Sequence, residues 1–338
     1  MKIWCCILGE RTMTESNYNQ IKGEVRGSVW GEDQPFTSND FICFKTKTDR
    51  CKILQLTDIH LRQYTKNTFG TAWKIHRMIR KENPDLVVVT GDFTALKNNK
   101  WDTKWLVRTL DHAKTPWTAI MGNHDSQGQY DRYYIANILE NSKYGLFRQG
   151  PKNIGGVGNF ILSLTTEAGL WGALFFLDSH TSFEINGLRY QSLTRDQISW
   201  YRWAVNGMDS LYKKDGGCAD TIPSLMFLHI PLNEFQDAWE KGRVILGKMG
   251  EDKVYAPEEN SGMFSEIVRL KSTKGVFAGH DHASTFCCEY QGVVLGYGTH
   301  TRFNKKDKAE KRFTGSVIIM DGDGKLTLKQ TGYRKAVE

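Results

Sequence analysis

From Cys51 onward, short apolar runs alternate with amphipathic stretches. Lys52-Ile53-Leu54-Gln55-Leu56-Thr57 has the mostly apolar character of a buried strand. Phe69, Ala72, Ile75 and Ile79 then recur at three- and four-residue steps, which predicts a helix with one apolar face. Asn83-Pro84-Asp85 stops that helix. Leu86 to Val89 is a second buried strand, followed by a predicted helix from Trp101 to His112. After Pro116 comes a third strand, Trp117 to Ile120. Strands alternating with helices imply parallel pairing through right-handed crossovers.

The second half follows a different rhythm. Residues 159–164 and 174–177 predict two paired strands across a Gly-containing turn. Thr194 to Lys213 predicts a helix opened by a capping box, Thr194 with Gln197. Ile198, Tyr201, Val205, Met208 and Tyr212 share its apolar face. Leu225 to Leu228 is a further strand, and a helix is expected from Asn233 to Lys241. The Gly-rich stretch 242–262 reads as a long loop, with Asn260-Ser261 as the N-cap of a following apolar helix. Strands are expected at 274–279, 286–290 and 292–297. A hairpin of 315–320 with 325–331 turns at Asp321-Gly322-Asp323-Gly324. The basic run 305–312 reads as a solvated loop. Residues 1–50 are polar and weakly patterned, an arm with one short strand near Phe41 to Phe44.

The apolar runs end on chemistry. The first closes on Asp58-Ile59-His60, the second on Gly91-Asp92, the third on Gly122-Asn123-His124-Asp125. Leu225 to Leu228 ends on His229, and Phe277-Ala278-Gly279 leads into His280-Asp281-His282. Ligands of parallel sheets bind outside the carboxyl ends of the strands, which is where these residues fall. A His-x-His on a strand would also point both rings to one face. The donor set is carboxylate, imidazole and one carboxamide, without thiolate. It suits Mn, Fe or Zn and is too large for one ion. Two cations about 3.5–4 Å apart and sharing a carboxylate would use it fully.

Composition adds limits. The 338 residues are 40% hydrophobic and 25% charged, ordinary for a soluble domain. No apolar run approaches the roughly 20 residues of a membrane span, so no membrane partner is expected. The apolar opening Met1 to Leu8 has no small-residue cleavage site. Seven cysteines in no zinc-like spacing favour a reducing, cytoplasmic setting. The net charge of +7 suits an anionic substrate or a generally basic surface. No linker or repeat interrupts the chain after the arm, so residues 51–338 are taken as one domain.

Asp-x-His, Gly-Asp, Gly-Asn-His-Asp, His and Gly-His-x-His, in this order over residues 51–331, resemble the calcineurin-like metallophosphoesterase superfamily. The resemblance implies an α/β (α+β) fold, a four-layer α/β/β/α sandwich of two mixed sheets flanked by helices. It implies that Asp58, His60 and His282 hold one metal, Asn123, His229 and His280 the other, and that Asp92 bridges both. His124 would act on the substrate and Asp125 would orient His124. Ala95 stands where purple acid phosphatases carry an iron-binding Tyr. The stretches 228–232, 260–264 and 279–287 are similar to single-domain purple-acid-phosphatase-like phosphatases.

The implied activity is hydrolysis of phosphomonoesters by a metal-bridging hydroxide, with His124 assisting the leaving group. The substrate would be a phosphorylated small molecule or a phosphoprotein. A phosphodiesterase on cyclic nucleotides or nucleic acid is the alternative, and a non-catalytic interaction module on the same fold ranks third. Outside the motifs, His76 and His112 are expected to be structural or solvated. His180 and His300 are candidates for lining the cleft. Trp101, Trp105 and Trp117 are read as packing residues.

Overall fold

The chain enters its sheets through β1 (Ile42–Lys45) and then alternates as β2 (Arg50–Leu56), α1 (Lys66–Glu82), β3 (Leu86–Thr90), α2 (Asn99–Ala113), β4 (Trp117–Ile120) and α3 (Arg132–Glu140). It continues through β5 (Phe160–Thr166), β6 (Gly169–Phe176), β7 (Ser182–Glu184), β8 (Leu188–Tyr190), α4 (Arg195–Lys214), β9 (Ser224–Phe227), α5 (Glu234–Lys241) and β10 (Arg243–Leu246). The last elements are α6 (Met263–Leu270), β11 (Thr273–Ala278), β12 (Cys287–Tyr290), β13 (Val293–Tyr297), β14 (Arg312–Asp321) and β15 (Leu326–Arg334). This computed structural model describes residues 20–61, 66–95, 97–184, 188–217, 219–301 and 312–334.

Two mixed sheets form the centre. The smaller runs β15-β14-β2-β3-β4, with β2, β3 and β4 parallel and the terminal hairpin antiparallel to β2. The larger runs β1-β5-β6-β9-β11-β13-β12-β10. Helices α1 to α3 pack with the smaller sheet and α4 to α6 with the larger, giving the four layers α/β/β/α. The apolar runs are buried as whole strands, β3 and β4 along their full length, because both faces of each sheet are covered. Gln55 crosses between the sheets, donating from Nε2 to Thr90 Oγ1 (2.9 Å) and to the Ala278 carbonyl (3.0 Å).

Several expectations need correction. Phe69, expected on the buried face of α1, is 61% exposed. Ile75 and Ile79 are buried as expected, and Thr71 and Met78 complete that face. The stretch 242–262 is not all loop, since β10 opens it and pairs antiparallel with β12 at the sheet edge. Gly262, with φ 82°, caps α6 in place of Asn260-Ser261. Asn260 accepts the Gly262 N–H in a local turn. Helix α3 and the β7–β8 hairpin had no counterpart in the periodicity. Of the basic run 305–312, all but Arg312, which opens β14, lies outside the described residues.

The described part of the arm has little regular structure but is fixed at many points. The Ile21 N–H donates to the Gln129 carbonyl (3.0 Å), and Trp30 and Asn153 exchange two hydrogen bonds of 2.7 Å. Trp203 Nε1 donates to the Gln34 carbonyl (2.8 Å), and β1 pairs in parallel with β5. The capping box of α4 is present, with Gln197 Oε1 accepting the Thr194 N–H at 2.9 Å.

Glu82, at the end of α1, ties that helix to the smaller sheet. Its buried carboxylate lies 2.8 Å from Lys329 Nζ and 3.4 Å from Lys52 Nζ, and accepts from Thr331 Oγ1. Burial would raise its pKa. The hydrogen bonds from Lys329 and Thr331 and the two lysine charges outweigh that and bring it from 4.5 to about 2. The stabilisation is therefore complete above about pH 4.5 and fades as pH falls toward about 2. We expect Glu82→Gln to lose about 2 kcal/mol at pH 7. The gap to the parent should close below pH 4 in urea titrations, and a gap independent of pH would refute the assignment.

Candidate metal centre

The polar ends of β2, β3, β4, β9 and β11 meet at one rim. Two glycines permit the close approach. A Cβ on Gly122 would lie 2.1 Å from Asp92 Oδ1, and one on Gly279 would lie 2.1 Å from Thr57 Oγ1 and 2.9 Å from Asp58 Oδ2. Asp58 (φ 52°), His60 (φ 46°), Asp92 (φ 50°) and His280 (φ 78°) all sit in the left-handed backbone region. Non-glycine residues hold that conformation only where their surroundings fix it, and such strain clusters at functional sites.

Asp58 Oδ2 accepts from Thr57 Oγ1 (2.7 Å) and from the His280 N–H (3.0 Å). Its other oxygen, Oδ1, is buried without a hydrogen bond, 3.3 Å from His282 Nε2 and 3.9 Å from His60 Nε2. His60 Nε2 and His282 Nε2 face each other at 3.0 Å. Across the site, His229 Nδ1 donates to the Thr90 carbonyl (2.7 Å), which turns Nε2 inward to 3.1 Å from Asn123 Oδ1 and 3.4 Å from Asp92 Oδ2. His280 joins this half, with its ring centroid 5.2 Å from that of His229. Asp92 faces both groups, since Oδ2 is also 4.0 Å from His60 Nε2.

Among the described residues, Asp58-His60-Asp92, Asp92-His229-His280 and His60-His282-His300 each bring donor atoms within 4.8 Å of one another. Every residue expected as a ligand therefore reaches this rim. His280 and His282 lie in the loop after β11 rather than on one strand face, and so serve opposite halves. Asp281 between them turns away and accepts from Tyr297 Oη and the Tyr255 N–H.

The electrostatics fit cations. Asp58 and Asp92 are buried, which would raise both pKa values, yet the surrounding imidazoles hold both well below the usual carboxylate range. Burial would lower His229, but Asp92 pushes it up to about 10. His280 is carried down to about 3, chiefly by burial, and His60 also falls for that reason, which leaves both rings neutral with lone pairs to offer. Buried carboxylates that recruit protons to neighbouring imidazoles are sites short of positive charge. The open Asp58 Oδ1 and the paired nitrogens of His60 and His282 are ligand atoms suited to a metal.

One role differs from expectation. Asp125 does not touch His124. Its carboxylate accepts the backbone N–H of Asp92 (2.9 Å), Thr94 (2.8 Å) and Gly122 (2.7 Å), and so knits the second and third motif loops together. The partner of His124 is Gln127, whose Oε1 lies 2.7 Å from Nδ1. Gln127 Nε2 in turn donates to Ser182 Oγ on β7 (3.2 Å). Only the spacing of three from His124 could have singled out Gln127, and that spacing is common.

The motifs also gave no sign of Arg132. It forms an ion pair with the buried Asp178 and donates to the carbonyls of Met121 and Gly122, bracing the third motif loop. Of the two cleft candidates, His300 is at the rim, its ring stacked on His282 at 4.5 Å. His180 is engaged by Gln197, whose Oε1 lies 2.8 Å from its Nε2. His76 packs 5.2 Å from His112, away from the site.

Comparison with known proteins agrees with this geometry. A protein of Arabidopsis thaliana named probable inactive purple acid phosphatase 29 is 27% identical over 320 residues, covering 85% of this chain and 80% of its own. Probable inactive purple acid phosphatase 14 of the same plant is 29% identical, covering 73% and 69%. Phosphatase DCR2 of Saccharomyces cerevisiae is 29% identical over 72% of this chain, which spans only 46% of that relative. The solved structure of a dimetal phosphatase from Danio rerio shares the fold, with TM-score 0.53 and 11% identity over 83% of this chain and 96% of its own. The family model described as calcineurin-like phosphoesterase matches residues 51–284, the span that contains every motif above, and the chain belongs to that family.

Proposed function

We propose that the chain is a dinuclear metal-dependent phosphoesterase that hydrolyses phosphomonoesters. The observation that carries this reading is the convergence of two sets of buried donors on Asp92, one of Asp58, His60 and His282, the other of Asn123, His229 and His280. Two cations held by these residues would supply positive charge for the phosphate oxygens and would lower the pKa of a bound water. The donor set takes Mn, Fe or Zn.

The protein's own groups do the rest. Thr57 and Thr90 hold Asp58 and His229 in their orientations. His124 Nε2 faces the cluster, 3.8 Å from Asp92 Oδ2, and a proton held at that nitrogen is placed to reach the leaving oxygen. Gln127 Oε1 can only accept, so it keeps a hydrogen on His124 Nδ1 and fixes the ring. The phosphatase names of the relatives support monoesters as the substrate class. The two plant relatives are named inactive, whereas here the full donor set supports activity.

The direct test is turnover of p-nitrophenyl phosphate with Mn, Fe, Zn, Ni or Co, beside the diester bis-p-nitrophenyl phosphate. A higher kcat/KM on the diester would replace monoesters with diesters in the proposal. Absence of turnover on both, with metal bound, would leave a non-catalytic module.

Three variants separate the roles. Asp92→Ala should empty both metal positions, and elemental analysis that still finds two ions per chain would contradict its place between them. His124→Ala should keep the metals and lower kcat by about 10²–10⁴ on an alkyl phosphate. The loss should be smaller on p-nitrophenyl phosphate, whose leaving group needs no proton. Gln127→Ala should show the same dependence on leaving group at about tenfold. Equal losses on both substrates would remove Gln127 from that role.

A further inference from the structure

Helices α1 and α2 lie side by side, and both begin just after motif loops of the metal centre. Leu61 bridges to Thr94 between those loops, and Asn99, the first residue of α2, donates from Nδ2 to the Asp125 carbonyl (2.9 Å). The outward face of the pair is aromatic. Phe69 and Trp73 are one turn apart on α1, and Trp101 and Trp105 one turn apart on α2. Phe69 meets Trp105 edge to face at 5.2 Å across the two helices. Phe69, Trp73 and Trp101 are 61%, 53% and 44% exposed, and no other Phe or Trp among the described residues is so open.

Among the described residues of α1 and α2, the exposed charges are all positive. Arg77 lies over the Trp73 ring at 4.8 Å and Lys104 over Trp101 at 5.6 Å, while Arg80 and Arg108 are exposed on the same helices. The acids of α1 and α2 do not offset them. Glu82 and Asp102 are buried, and the Asp111 carboxylate accepts from Trp117 Nε1 and from the backbone N–H groups of Lys143 and Tyr144.

We propose that this face docks the protein on the surface of an anionic phospholipid bilayer. Tryptophan and phenylalanine rings settle at the headgroup level of a bilayer, and neighbouring Lys and Arg are drawn to its negative surface. The contact is peripheral, since no described helix is long and apolar enough to cross a membrane. A single-stranded nucleic acid fits this face less well. Its backbone is tracked by a groove with open ring faces for stacking. Here the rings of Trp73 and Trp101 each already carry a cation.

The test is co-sedimentation of the full-length, metal-replete protein with vesicles of phosphatidylcholine alone or mixed with phosphatidylserine. Binding to the mixed vesicles should be at least about tenfold stronger, and should weaken as NaCl is raised. The double variant Trp73→Gln with Trp101→Gln should bind about tenfold more weakly, with unchanged melting temperature and metal content. Equal binding to both vesicle types, or a double variant that binds like the parent, would overturn the proposal. So would capture of a fluorescent single-stranded oligonucleotide by a protein that ignores the vesicles. None of these readouts depends on phosphoesterase activity.

Discussion

Asp58 and Asp92 are buried at one rim with their carboxylates aimed at a shared space. Neither can be ionised there without positive charge beside it, because burial alone favours the neutral acid. The surroundings answer this demand. Imidazoles crowd in from the other motif loops, hydroxyls and carbonyls orient them, and glycines let the loops approach to contact. Much of the local backbone strain in the described chain is placed to serve this cluster, at Asp58, His60, Asp92 and His280.

The two sheets contribute unequal parts. The smaller supplies Asp58, His60, Asp92, Asn123 and His124, and the larger supplies His229, His280 and His282. Each half of the metal centre draws on both, so the site exists only while the sheets stay in register. Gln55 crosses between them, and the Asp58 carboxylate accepts the backbone N–H of His280 from the other sheet. Arg132 with Asp178, and Asp125 with three backbone donors, hold the loop of the third motif. Stability and site geometry are thus carried by overlapping contacts, and changes to the braces should be felt at the site.

The elements with the longest apolar runs were readable from the sequence, because burial on both faces leaves continuous Val, Ile and Leu as in β3. The site was readable for a related reason. Each motif stands at the end of such a run, and a strand end fixes where its residues point. What escaped was governed by neighbours far away in the chain. Phe69 has the spacing of a buried position, but the axial rotation of α1 is set by its packing and turns that ring outward against Trp105. The strand β10 is a run of only three apolar residues, Val244 to Leu246, that stays largely exposed, and pairing with β12 is what holds it as a strand. The family resemblance makes Asp125 the partner of His124, but its carboxylate is taken up by three backbone N–H groups. Adjacent residues at a sharp turn point apart, and the imidazole finds Gln127 instead.

The arm also closes one edge of the larger sheet. β1 forms the outermost strand of the larger sheet beside β5, whose first five residues are fully covered. A chain cut back to residue 51, where the family match begins, would lose β1 and lay bare the hydrogen-bonding edge of an apolar strand. Open, flat, apolar edges recruit strands from other molecules. The arm thus doubles as a guard against self-association.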